Sequence, residues 1–403
     1  MSLTPPGLLG GRFWLLFAAS TLVCTTTGTV TPALPQYIQH DLGHSATVVG
    51  IVVGAASILS VIANPALGRI TDHVGRRRMG MSGALLGGLG IGVLLLVGSL
   101  WNVVGGRALF GIGAIALNVA LTAWVVDAAR SDARGRALGM FGISVWIGLA
   151  AGPQIGQTLL HEYGFTAVWL ACVAMQVGAF GCVAAAPRRP WTAVVDKTPQ
   201  KWGPVVAATA RPSAIAAAAW TGESILMSFL IVHLVDRGVP ATGPTGAAAI
   251  FTVFSASVVG FRLLLGARVD RWRPQATAAA SLAATTAGYV ALAFASSFPV
   301  AAVGAALLGC GFSPLYPALL MLTTGRLHPN SRAAGLGVFT SGVELGLAVG
   351  VFVGGVLMDR AGGGAAMLGA AGFQIVAMVV LLCRPWAPSP SPSPVPVTVA
   401  AKA

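Results

Sequence analysis

Gly68-Arg69-Ile70-Thr71-Asp72-His73-Val74-Gly75-Arg76-Arg77-Arg78 is a short, polar, strongly basic turn between two long apolar runs, 46–67 and 79–98. A turn of this length joining two membrane-length helices has to sit at one water interface. The arginines say which, because positive charge is retained on the cytoplasmic side of a membrane. Gly68 and Gly75 permit tight backbone at the two helix ends. Asp72 is placed to accept charge-assisted hydrogen bonds from the following arginines or from helix N-terminal amides. A generic basic loop would need neither the aspartate nor glycines at these spacings.

Working outward, composition sets the class. The chain has 403 residues, 56% hydrophobic and only 9% charged, with mean hydropathy +0.82. No soluble core hides that much apolar surface, so lipid is the expected solvent for most of it. The net charge of +13 therefore does not argue for nucleic acid. Cys24, Cys172, Cys182, Cys310 and Cys383 fall in or at the ends of apolar runs without metal-ligand spacing, and read as free core thiols. The first apolar run follows Arg12 directly and is long enough to remain as a span, so no cleaved leader is expected. The excess of arginine over lysine and the lack of an N-x-[ST] acceptor suit a bacterial protein.

Twelve spans are expected: 13–33, 46–67, 79–98, 101–125, 137–159, 166–186, 212–235, 246–266, 275–296, 299–324, 334–357 and 364–383. Each is near the ~20 residues needed to cross the hydrocarbon. Of the 24 lysines and arginines, 20 lie in the gaps on the side of the 68–78 turn, both termini included. Arg237 and Arg360 alone lie in the opposite gaps, and Arg107 and Arg262 lie inside spans. That asymmetry predicts cytoplasmic termini. The gap 187–211 reads as a cytoplasmic linker between two halves, 13–186 and 212–384, after a cytoplasmic N-terminus at 1–12. Residues 385–403, with Pro-Ser alternation at 388–394, read as a disordered cytoplasmic tail.

The halves repeat. An offset of 198 residues carries Gly68 and Asp72 onto Gly266 and Asp270. It carries Arg134, Leu138, Gly139 and Phe141 onto Arg332, Leu336, Gly337 and Phe339, and Gly148, Gly152 and Gly156 onto Gly346, Gly350 and Gly354. An even number of spans separates the copies, so they are parallel. The expected fold is all-α and integral to the membrane, with two parallel, pseudo-symmetric six-helix halves.

The 68–78 turn resembles the signature loop between helices 2 and 3 of the major facilitator superfamily. In Gly148-Leu149-Ala150-Ala151-Gly152-Pro153-Gln154-Ile155-Gly156, glycines four apart form a stripe for close helix packing, and Pro153 removes an amide inside it. This resembles the helix 5 G-x-x-x-G-P-x-x-G motif of the exporting, proton-antiporting branches; the second half carries Val351 where the proline stands. Gly28 to Pro35 looks like the Pro-x-x-Pro exit of helix 1 in drug-efflux members, and Arg107 with Gly111 and Gly113 resembles a helix 4 pattern attributed there to proton transfer. The resemblance covers residues 13–384. It implies a proton-coupled exporter acting as a monomer in the bacterial plasma membrane, with small-molecule substrate, protons and bilayer as partners, and no cofactor, metal or nucleic acid.

Charged groups in lipid default to functional hypotheses. Nine of the eleven acids lie in gaps or at span ends; the exceptions are Glu223 and Glu344, each ~15–16 Å from the cytoplasmic end of its helix. Glu223, beside Trp220, Thr221 and Ser224, is the first candidate for a titrating or cation-binding carboxylate, against the alternative of a protonated acid bonded to a neighbouring helix. Glu344 lies ~200° around its helix from Gly346, away from the packing stripe. Arg107 has no intramembrane acid in its own half, so it pairs across halves, with substrate, or with water. Arg262, one turn before Gly266, reads as a gate or snorkelling residue. Gln36, Asn118, Trp124, Gln154, Trp220 and Tyr316 are further cavity candidates. Asp72 is expected to bridge toward Arg76 and the cytoplasmic end of helix 4, where Asp127 is placed to join the network. No nucleotide loop, metal cluster or nucleophile constellation argues for an enzyme, and His73, His161, His233 and His328 are scattered near interfaces. A sugar-type uptake facilitator and a membrane sensor are the alternatives.

Overall fold

The computed structural model describes residues 11–55, 67, 70–71, 74–96, 98–128, 134–187, 202–269, 272–325, 327 and 332–383. Among these the chain is helical throughout, and helix occupies part or all of each of the twelve expected spans. The helices are α1 (Gly11–Gln36), α2 (Ala46–Ala55), α3 (Arg76–Val93), α4 (Leu100–Ala128), α5 (134–163), α6 (165–185) and α7 (Trp202–Asp236). They continue with α8 (Ala249–Val269), α9 (Pro274–Ala293), α10 (Phe298–Thr324), α11 (332–361) and α12 (363–382). Below, the end at which 68–78 joins α2 to α3 is the basic end, and the opposite one the far end.

Two helical runs, Arg134–Ala185 and Arg332–Leu382, are 52 and 51 residues long. At 1.5 Å per residue each would reach ~78 Å, more than twice the ~30 Å hydrocarbon. Each is broken at one glycine. Gly164 has φ 76° and ψ −178°, Gly362 φ 78° and ψ 176°, a conformation closed to residues bearing a Cβ. The two are 198 residues apart, so the sequence repeat extends to the backbone of the reversal itself. After the break the chain runs back: α5 tracks α1 upward from Gly148 against Cys24 to Gly156 against Thr29, whereas α6 starts with Phe165 beside Tyr37 and reaches Gly178 beside Leu22.

Lipid tails are as apolar as leucine, so close backbone packing and interhelical hydrogen bonds hold such helices together. A Cβ on Gly152 would lie 2.6 Å from the Thr25 carbonyl oxygen, and Thr29 donates its hydroxyl to the Gly152 carbonyl at 2.8 Å. The second six helices repeat the device: Gly346 lies against Ala217 and Gly350 against Thr221, while Ser224 donates to the Leu347 carbonyl at 2.7 Å. Gly90 meets Gly106 between α3 and α4, and Gly288 meets Gly304 between α9 and α10, again at the offset of 198.

One helix boundary and one cysteine differ from expectation. α7 begins at Trp202, so the last ten residues of the expected linker 187–211 are helical, and Arg211 is bound on this extension through the Val380 and Leu381 carbonyls at 3.0 and 2.8 Å. An arginine can sit inside a helix end when carbonyls of a neighbouring helix end accept its N–H groups. Cys383 is exposed rather than a core thiol; Cys24 and Cys172 are buried, and all five cysteines are free.

Candidate functional site

α7 shows most directly how a side chain is presented to the space between the helices. From Ala219 to Leu234 nearly every residue is buried, and the half-buried ones include Trp220, Glu223 and Met227. Spacings of three and four put these three on one face. The other faces are taken: Gly222 lies against Tyr289 of α9 and Gln374 of α12, and the Thr221 and Ser224 hydroxyls bond to Gly346 and Leu347 of α11. Glu223 is left projecting off both packed faces.

Arg107 is placed by the same logic on α4. Gly106 and Gly113 form the stripe on which α3 lies, through Gly90, Gly87 and Gly83. One residue on, and ~100° around, Arg107 is turned off that seam and is half-buried with its guanidinium 5.8 Å from the Phe110 ring. Glu344 follows on α11, where Gly342, Gly346 and Gly350 face α7 and Glu344 itself is half-buried. Glu344 lies within electrostatic range of Arg107, and Glu223 within electrostatic range of Glu344. One cation and two carboxylates, from α4, α7 and α11, thus share one field although 237 residues separate the first from the last.

Beside the trio runs a chain of aromatic rings in edge-to-face contact. Trp146 of α5 meets Phe254 of α8 at 5.8 Å, Phe254 meets Phe312 of α10 at 6.0 Å, and Phe312 meets Trp220 at 5.9 Å. Trp220 meets Tyr316 at 5.8 Å, and Tyr316 meets Phe339 of α11 at 5.5 Å. Tyr316 is 41% exposed, so this wall is not wholly covered by packing. An ionisable cluster beside exposed aromatic faces can hold an amphipathic molecule with a polar or cationic head.

The remaining candidates divide. Asn118 on α4 and Gln154 on α5 are half-buried. Gln36 is also half-buried, but its amide already donates to the Pro32 carbonyl at 2.8 Å, a carbonyl near Pro35 in the last turn of α1. Trp124 lies away from the trio, in an apolar core near the basic end with Phe13, Leu117 and Phe141, and Arg12 stacks over its ring at 5.0 Å. Gly148, Gly152, Pro153 and Gly156 lie in α5, the glycines against α1. Arg262 is exposed on α8. Gly75, at φ 91°, precedes α3, which Arg76 opens, and the Arg77 guanidinium donates to the Ala184 carbonyl at the end of α6. Gly68, Asp72 and Asp270, and the surroundings of Asp127 and Gly266, fall outside what the structure describes.

Sequence reasoning missed one carboxylate. Asp359, at the far end of α11, accepts hydrogen bonds from the Ala46 N–H at 2.9 Å, the Thr47 N–H at 2.7 Å and the Thr47 hydroxyl at 2.5 Å. It was indistinguishable from other acids at span ends, because its partners lie 312 and 313 residues away.

Comparison with known proteins agrees with this architecture. A family model described as the Major Facilitator Superfamily matches residues 16–322 and 213–402. The chain is 28% identical over 363 residues to the MFS-type transporter YhhS of Escherichia coli (strain K12), covering 88% of each chain. It is 27% identical over 342 residues to the MFS-type transporter STM4428 of Salmonella typhimurium, covering 81% of this chain and 84% of that one. Among solved structures, the nucleoside transporter NupG superposes with a TM-score of 0.76 at 16% identity, covering 93% of this chain and 99% of the other. A bacterial homolog of the human lysosomal transporter Spinster, inward-facing and occupied, gives 0.75 at 15%, covering 92% and 95%.

Proposed function

Because the chain belongs to the Major Facilitator Superfamily and is a multi-pass membrane transporter of a small molecule, we propose that it exports an amphipathic compound in exchange for protons. The carrying observation is the trio of Arg107, Glu223 and Glu344. If both acids ionise, one is balanced by the arginine and the other is not. An unbalanced charge in a low-dielectric passage is costly, so a proton or the head of a substrate is the favoured neutraliser. The two then compete for one position, which is the condition for exchange. The halves 13–186 and 212–384 rock about this site, with both termini cytoplasmic, a reading supported by the excess of basic residues at that end. The protein acts as a monomer in the bacterial plasma membrane. The helix 5 glycine–proline motif favours export over import.

Uptake by a facilitator is the second reading; Tyr316 and the few amides around it favour it less than the charged trio favours antiport. Cells with and without the protein, exposed to a panel of drugs and metabolites with and without an uncoupler, decide between them. Export predicts lower intracellular accumulation that uncoupler abolishes. Uptake in whole cells, with no substrate-induced proton release from inside-out vesicles, overturns it. Glu223→Gln, which keeps the hydrogen bonds of a protonated acid, is expected to leave folded yield near wild type and stop exchange.

A further inference from the structure

α2 begins with a local cap. The Val48 and Val49 N–H groups donate to the Ser45 carbonyl at 3.0 and 3.2 Å. The N–H groups of Ala46 and Thr47 precede that pattern and belong to the donors a helix start leaves unsatisfied. Here they are satisfied by the Asp359 carboxylate from the other six-helix set, one oxygen on Ala46 and the second on Thr47, whose hydroxyl adds a third bond. Towards the membrane centre the two helices are in backbone contact over two further turns. A Cβ on Gly355 would meet the Ala46 carbonyl oxygen, one on Gly50 would lie 2.7 Å from the Phe352 Cα, and one on Gly54 would lie 3.1 Å from the Ala348 carbonyl oxygen. The pairs 46–355, 50–352 and 54–348 describe an antiparallel seam ~12 Å long. A second crossing, Trp146 with Phe254 and the Thr252 hydroxyl with the Ala150 carbonyl, joins α5 to the far part of α8.

We infer that Asp359 is a positioning residue for transport: it latches the far, outer side of the passage by capping α2 in trans. The inference rests on the alternating-access reading. Opening on that side must separate α2 from α11, because no solute passes a seam at which backbones touch. Separation strands two backbone donors and one carboxylate together, and a charge-assisted bond to a helix N-terminus is among the stronger ones available. The latch therefore biases the resting carrier toward the state closed outside. A substrate or proton that opens the outer side must have a differential affinity large enough to offset it. Glycine at 50, 54 and 355 is what lets the helices come close enough for so short a side chain to reach.

The test is the reactivity of Val351→Cys, at the seam, toward a charged membrane-impermeant thiol reagent applied from outside, in a full-length chain whose five native cysteines are replaced. Asp359→Asn and Asp359→Ala are expected to raise the labelling rate about tenfold, the factor that losing one charge-assisted bond gives. Asp359→Glu is expected to stay within about threefold of the parent, since the carboxylate is retained. Folded yield by size-exclusion chromatography separates gating from collapse; a seam residue of merely structural importance would lower yield without changing the labelling of the folded fraction. An unchanged labelling rate in Asp359→Asn overturns the latch. The readout needs no transport, so a labelling response without exchange of any compound leaves the latch standing and removes the export reading.

Discussion

Gln374 and Gln176, 198 residues apart, occupy equivalent places in α12 and α6, yet only Gln374 is hydrogen-bonded. Its amide donates to the Ala219 carbonyl at 2.9 Å and accepts from the Thr285 hydroxyl at 3.1 Å, whereas both polar atoms of Gln176 are buried without a partner among the described residues. The position facing Gln374 carries Thr285; the one facing Gln176 carries Gly87. Gln374→Leu should therefore destabilise the protein by about 1–2 kcal/mol, and Gln176→Leu should be neutral or stabilising, since it removes an unpaid desolvation. Thermal unfolding of the two variants in detergent checks the difference, and equal losses would refute it.

Gly152→Ala places a methyl group against helix α1 backbone at 2.6–2.7 Å, where no flexible side chain can yield. The expected cost is about 1–3 kcal/mol with lower folded yield. Gly142→Ala, with no atom within 4 Å of the added carbon, is the matched control and should behave as wild type.

Arg107 and Glu344 should show energetic coupling across the two sets of helices. Glu344→Gln leaves a half-buried arginine without its electrostatic partner, at a cost of about 1–3 kcal/mol, and adding Arg107→Gln should recover most of that stability while leaving transport abolished. A double-mutant cycle on unfolding free energy measures it; strict additivity would mean that the two do not interact.

Tyr316→Ala is expected to raise KM for a cationic amphipathic compound about fivefold with a smaller change in turnover, because it removes an exposed ring from the wall beside Trp220. Tyr316→Phe keeps the ring and should stay within twofold. If Tyr316→Phe were as impaired as Tyr316→Ala, the hydroxyl rather than the ring face would be the binding element.

Burial pushes the Asp359 carboxyl up, but hydrogen bonds from Thr47, Ala46 and Ser45 together outweigh it and hold the group below its usual value. A depressed carboxylate contributes in full above its free value, near ~4, and is lost only as pH falls through the bonded value. Labelling of Val351→Cys through the outer side should accordingly be flat from about pH 5 to 8 as far as the latch is concerned. A transition near pH 6–7 that survives Asp359→Asn would come from another group.

Much of this was legible from the chain alone. Hydropathy, spacing of basic residues and the 198-residue repeat act through local composition and periodicity, so the membrane class, the helices and their duplication could be read without coordinates. Glu223, Glu344 and Arg107 stood out for the same reason: a charge inside an apolar run is visible in one dimension. What they face was not visible. Trp124 has the composition of a cavity residue but packs beneath Arg12, because rotation about a helix axis is set by neighbours that sequence does not name. The ring chain from Trp146 to Phe339 crosses five helices, and the Asp359 latch joins residues more than 300 positions apart. Contacts of that kind depend on how closely two backbones approach, and the approach is decided jointly by glycines on both helices. Sequence by itself determined where the chain enters lipid and that it does so in two related halves; only the tertiary structure decided which polar groups meet, because pairing in a bilayer follows from close packing between distant helices rather than from the pattern along any one of them.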